Sequence, residues 1–202
     1  MISLFVKGGP MMWALLCCSV LGFYIIFYKL FYLLLQTVSY QKIKRETTYL
    51  LRSQPHDTVI KTLRSKPTIL HHAAAHAVAL AKRPRVTIQD SIRTFTLEHV
   101  NNLEKHMSIL ASLITVTPLL GLMGTVLGLM NIFNVISGGG IGNTQALSVG
   151  IAEALITTVT GLAIAAPFIV MHHYLSQRIE NLGLQLERMI LDIRHLFTEP
   201  DT

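Results

Sequence analysis

One carboxylate stands where carboxylates are costly. From Met107 to Ala152, and again over 154–177, the sequence has no Asp, Glu, Lys or Arg; Glu153 lies between the two runs. An acidic side chain at membrane depth costs at least about 2–3 kcal/mol, so it normally faces a cavity or a partner. Desolvation raises the pKa of a buried carboxyl, which suits a group that binds and releases protons. The plainer reading is that Glu153 sits soon after the Gly142-Asn143 turn, solvated at the outer end of a span. Hydroxyls surround it. Thr157 and Thr160 share its helical face at i+4 and i+7, and Thr158 lies about 140° away. Thr115, Thr117 and Thr125 are the threonines of the apolar stretch at 109–136. Together they could line a polar conduit; intramembrane threonines also commonly bond their own backbone.

Other chemistry-bearing groups are sparse. His72 and His76 are spaced i, i+4 and could bind a metal, but no carboxylate or cysteine joins them, and a solvated helix face accounts for them. No metal site and no cofactor is expected. Cys17 and Cys18 are adjacent in an apolar run and offer neither a disulfide framework nor metal spacing. The Gly138–Gly142 loop lacks the Gly-Lys-Ser/Thr ending of a phosphate loop. No nucleophile, base and metal set stands at membrane depth, so the chain is not expected to be an enzyme.

Three apolar stretches must position these groups. Of 202 residues, 51% are hydrophobic and only 14% charged, against about 25% in soluble domains. That balance argues against a soluble enzyme. A span needs about 20 apolar residues. The expected organisation is an external N-terminus at 1–10, spans at 11–35, 109–136 and 147–174, a helical loop at 36–108, a short Gly-rich loop at 137–146 and a C-terminal helix at 175–202. The first stretch could instead be a signal peptide, but it is long for one and no Ala-x-Ala-like site follows it. Within it Lys29 can snorkel to the interface beside Tyr28 and Tyr32.

Lys and Arg counts set the orientation. The 40–106 segment carries twelve, the tail after the third span three, the N-terminus only Lys7 and the 137–146 loop none. The positive-inside rule places the large loop and the tail in the cytoplasm, and the N-terminus and the Gly-rich loop outside. The same rule accounts for the basic loop without nucleic acid. Pro55, Pro67 and Pro84 should bound short helices within it. Thr87-x-x-Asp90 reads as a capping box, opening a helix that runs unbroken into the second span. In the tail Ile179, Leu182, Leu186, Met189, Ile193 and Leu196 form a stripe that must bury, within the subunit or between subunits. Gly121, Gly124 and Gly128 in the second span, and Gly161 with Ala165 in the third, allow close helix approach, again within or between subunits. Pro118 and Pro167 should kink their spans.

The run from Thr117-Pro118-Leu119-Leu120-Gly121-Leu122-Met123-Gly124-Thr125 to Met130, followed by Gly150-Ile151-Ala152-Glu153-Ala154-Leu155 to Pro167, resembles the ExbB/TolQ family of proton-channel proteins, related to the flagellar stator protein MotA. The specific match covers about 107–176, and the three-span topology points to the ExbB/TolQ branch rather than to four-span MotA. The resemblance implies an all-α inner-membrane protein whose second and third spans extend into the cytoplasm. It implies a homo-oligomeric ring of five subunits around single-span ExbD- or TolR-like partners carrying the proton-binding Asp. The complex would use the proton gradient to energise a TonB- or TolA-like protein. On this resemblance Glu153, Thr125 and Thr158 face the pore. The helical-wheel argument favours Thr157 and Thr160, and Thr158 is ranked above them because a kinked, packed helix need not follow an ideal wheel. The chain departs from the family in being shorter than its best-known members and in carrying Thr157 and Thr160 where small or aliphatic residues are usual. A passive scaffold and a small-solute channel are the other readings. Service of the ExbB type is slightly favoured over the TolQ type.

Overall fold

A computed structural model describes residues 8–36, 39–80, 85–137 and 144–197. Its described residues form seven α-helices and no strand: α1 Met11–Leu35, α2 Tyr40–Ser53, α3 His56–Arg64, α4 Ile69–Leu80, α5 Arg85–Glu104, α6 Met107–Ser137 and α7 Thr144–His195. Three helices are long and apolar enough to cross a membrane, over Met11–Leu35, Met107–Asn134 and Leu147–His195. At about 1.5 Å per residue, the 52 residues of α7 exceed twice the roughly 30 Å hydrocarbon thickness, so much of this helix must project beyond the bilayer. The expected turn at 138–143 lies outside the described residues.

The chain divides into two compact units. The first comprises residues 1–28 and 106–174. Its helices pack through small residues. Gly121 and Gly161 sit face to face: a Cβ built on either would come within 2.9 Å of a carbonyl oxygen of the other helix, that of Thr157 or Thr117. One turn on, Gly124 accommodates the Thr157 side chain, and Gly128 meets Ala154 and the Gly150 carbonyl. The small-residue stripes of α6 and α7 are therefore used within one subunit. This is the economical arrangement in lipid, where close backbone contact replaces hydrophobic drive. Phe168, fully buried on α7, meets Phe23 of α1 edge to face with ring centroids 5.3 Å apart and fills the space left open at Gly22. Both α6 and α7 run through their prolines, Pro118 and Pro167, as single helices.

The second unit comprises residues 29–105 and 175–202. Ile43, Val59, Leu63, Leu70 and the alanine-rich face of α4 form its core together with Ile179, Leu186, Met189, Ile190 and Ile193 of α7. The tail stripe is thus buried inside the chain, except Leu196, which is exposed. Pro55 caps the start of α3, and Pro67 falls in the break between α3 and α4. The Tyr40 hydroxyl (2.7 Å) and the Lys44 ammonium (2.6 Å) both donate to the Asp192 carboxylate and tie α2 to α7. Gln36 Oε1 accepts the backbone N–H of Ile69 at 2.9 Å, satisfying one donor of the first turn of α4.

Three local expectations need correction. The helix leading to the second span is broken: α5 ends at Glu104 and α6 begins at Met107, with His106 between them at φ 73°. A left-handed residue ends an α-helix because it turns the next N–H away from the ladder. Thr87 is not an N-cap, since α5 is already helical at Arg85; the helix boundary expected at Pro84 lies outside the described residues. Lys29 does not snorkel. It is 3% exposed, and its ammonium donates to the Leu103 carbonyl at 2.7 Å. The last carbonyls of a helix have no partner within it and carry partial negative charge, so a buried cation is stabilised at the C-terminus of α5.

Candidate functional site

Glu153 is the tenth residue of α7 and is half-buried. Its carboxylate lies against Gly9, two residues before the start of α1. A side chain built on Gly9 would overlap Oε1, and Gly9 has a φ of 66° that L-residues rarely adopt. The close approach and the left-handed turn therefore both depend on glycine at this position. Gly8-Gly9-Pro10 is a turn signal in the sequence, but only the fold reveals that it packs on the carboxylate.

The hydroxyls divide by what they bond. The Thr157 side chain is fully buried; its Oγ1 donates to the Ala154 carbonyl at 2.8 Å and lies 3.3 Å from the Gly121 carbonyl. Thr158 Oγ1 donates to the same Gly121 carbonyl at 3.2 Å. That carbonyl therefore takes hydroxyls from two successive residues of α7. Thr125 is half-buried and bonds Leu122 O at 2.6 Å, Thr160 bonds Ile156 O at 2.7 Å, and buried Thr117 bonds Leu113 O at 2.6 Å. Thr115 bonds Ala111 O at 3.4 Å and is exposed.

Thr157 and Thr158 are thus brought together at Gly121, and Glu153 lies one turn earlier on α7. Thr125 follows Gly121 by four residues on α6. A carboxylate and hydroxyls along two closely packed helices can exchange protons with water or with a partner side chain. Outward from this seam, Leu122, Val126 and Leu129 of α6 and Leu155, Val159 and Leu162 of α7 present apolar side chains. Such surface suits lipid tails or neighbouring membrane helices. Among the described residues, no three His, Cys, Asp or Glu side chains come together as a metal-ligand set.

A family model described as the MotA/TolQ/ExbB proton channel family matches residues 59–188, which include Glu153 and all the hydroxyls above. The chain belongs to this family. It is a multi-pass membrane protein. It is 36% identical over 99 residues to the Tol-Pal system protein TolQ of Haemophilus influenzae, covering 48% of this chain and 43% of that protein. An ExbB homologue of Methanothermobacter thermautotrophicus is 24% identical over 188 residues, 89% of this chain and 64% of the relative. The biopolymer transport protein exbB1 of Vibrio cholerae is 28% identical over 186 residues, 90% of this chain and 82% of that protein. The chain thus spans less than two thirds of the first two relatives.

Proposed function

We propose that this chain is the ring-forming subunit of a proton-motive-force-driven complex of the bacterial inner membrane, with its N-terminus periplasmic and its C-terminus cytoplasmic. The observation that carries the reading is Glu153, the one acidic residue between Met107 and Gln177, on a span-length apolar helix of a proton-channel family member. Relatives bearing both ExbB and TolQ names support the family role in energy transduction. Five copies would surround a single-span ExbD- or TolR-like partner whose intramembrane Asp takes and releases the proton. Glu153, Thr125 and Thr158 form the polar wall that the partner faces, and Thr157 supports it from the α6–α7 seam. Work passes to a TonB- or TolA-like protein, with the ExbB-type role slightly favoured.

The fixed polar groups do not need to release the proton themselves. Their part is to stabilise the partner's carboxyl as its charge changes in a low-dielectric setting, where each hydrogen bond counts for more than in water. The test is Glu153→Gln. The reading expects energy transduction to be lost while the assembly stays intact; full activity in Glu153→Gln contradicts the proton-pathway role.

A scaffold reading draws on one observation: Thr157 and Thr158 both spend their hydroxyls on the Gly121 carbonyl, which is a packing role. A Glu153→Gln chain with intact activity but reduced assembly would favour it. Uptake of a small solute without any partner protein would favour a channel.

A further inference from the structure

The second unit holds a cavity of about 290 Å³ that the membrane chemistry leaves unused, lined by Arg64, His72, His76, Phe95 and His99. Three helices build it. Arg64 ends α3, His72 and His76 lie one turn apart on α4, and Phe95 and His99 lie one turn apart on α5. The rings of His76, Phe95 and His99 stack in sequence, with centroids 4.5 Å and 4.0 Å apart and planes inclined by 18° and 28°.

Two backbone contacts fix tautomers. His99 Nδ1 lies 2.9 Å from the Phe95 carbonyl, and His72 Nε2 lies 3.0 Å from the Lys66 carbonyl. A carbonyl only accepts, so each of these nitrogens carries the proton, and the other nitrogen of each ring is where a second proton adds. Protonation would turn both rings into pure donors.

The charge balance is one-sided. Among the described residues, no carboxylate lines the cavity. Glu46 of α2 is engaged by Lys66 and has its other oxygen 3.5 Å from His71 Nε2. Among the described residues, the groups around the site are therefore Arg64 from α3, His72 and His76 from α4, His99 from α5, and the Lys66–Glu46 pair beside His71. An arginine with protonatable imidazoles and no lining acid calls for an anionic ligand.

We propose that this cavity binds a tetrahedral oxyanion, a phosphate- or sulfate-type group, with proton uptake by its imidazoles. The group arrives either on a soluble molecule or as a phospholipid headgroup. The test titrates the full chain in maltoside micelles with sulfate, whose charge is constant across the pH range used, and reads binding by calorimetry with circular dichroism as the fold control. Affinity is expected to rise by up to about tenfold per pH unit for each coupled proton, as pH falls from about 8 towards about 6. Arg64→Gln is expected to weaken binding at least about tenfold, the scale of losing a charge-assisted bond. Arg64 is exposed, so this variant should fold; His99→Gln is the second variant and should flatten the pH dependence. Micelles doped with phosphatidylglycerol separate the sources: an unchanged sulfate affinity assigns a soluble anion, and a weakened one assigns the headgroup. Absence of sulfate binding overturns the proposal, as does binding that Arg64→Gln leaves unchanged.

Discussion

At Gly9 a side chain would meet both the Glu153 carboxylate and a left-handed backbone. Gly9→Ala is therefore expected to destabilise the first unit, with about 1–2 kcal/mol from the backbone alone. Part of the loss should be recovered when Glu153→Ala removes the overlap, leaving the backbone strain. A double-mutant cycle read by thermal unfolding checks this, and strictly additive effects would contradict the contact. Glu153 itself stood out in the sequence because a single acid between two charge-free runs has no cheap explanation in lipid. Its neighbour did not, since close approach across a fold leaves no periodic trace. Thr157 shows the opposite difficulty. The helical wheel puts it on the Glu153 face, but a wheel cannot say that its side chain packs against Gly124. His99 was missed for a related reason: it lies 23 residues beyond His76 on a separate helix, so spacing could not join them.

The α6–α7 seam is controlled by which atoms stand opposite each glycine. At Gly121 an added Cβ meets backbone, the Thr157 carbonyl at 2.9 Å and the Thr158 Cα at 3.2 Å, so the helices themselves must move. At Gly124 it meets the Thr157 side chain, with Cβ at 2.6 Å. Gly121→Ala and Gly124→Ala should each cost about 1–3 kcal/mol of stability in micelles. Only the Gly124→Ala loss should be relieved by Thr157→Ala, because only there is the obstacle a side chain. Equal rescue at both positions would contradict this packing. The existence of the long helices was legible from apolar length, and the Gly stripe from its spacing. Whether the stripe closed within one subunit was not, because periodicity marks a face without naming its partner. The break at His106 was hidden as well, since the apolar period continues across it while a single left-handed residue interrupts the ladder.

For the second unit the controlling variable is pH. Burial pushes the His71 imidazole below its ordinary range, so the folded chain resists a proton that the unfolded chain accepts. The hydrogen bond from Lys66 holds the Glu46 carboxyl below its usual range. Both shifts have the same sign: the unfolded state binds more protons, and stability falls as pH falls. The loss begins as pH drops below about 6.5 through His71 and deepens below about 4.5 through Glu46. Thermal unfolding of the chain between about pH 8 and about pH 4 should show a falling midpoint, and His71→Gln should remove the upper part of the decline. A midpoint that rises on acidification would contradict the assignment. At this scale the sequence made the all-α, three-span architecture readable through composition and charge-free length. The division of labour between units was not readable, because α1 and α7 each pass through both units as single helices.

The central claim is that this chain works in a proton-driven complex with a single-span partner. Affinity purification of the chain from its native membrane in mild detergent, with mass spectrometry of what accompanies it, tests that most directly. The account predicts recovery of a short single-span protein with an Asp in its span, together with a TonB-like or TolA-like protein that decides between nutrient uptake and envelope maintenance. Recovery of the chain alone, or with an unrelated transporter, would contradict it.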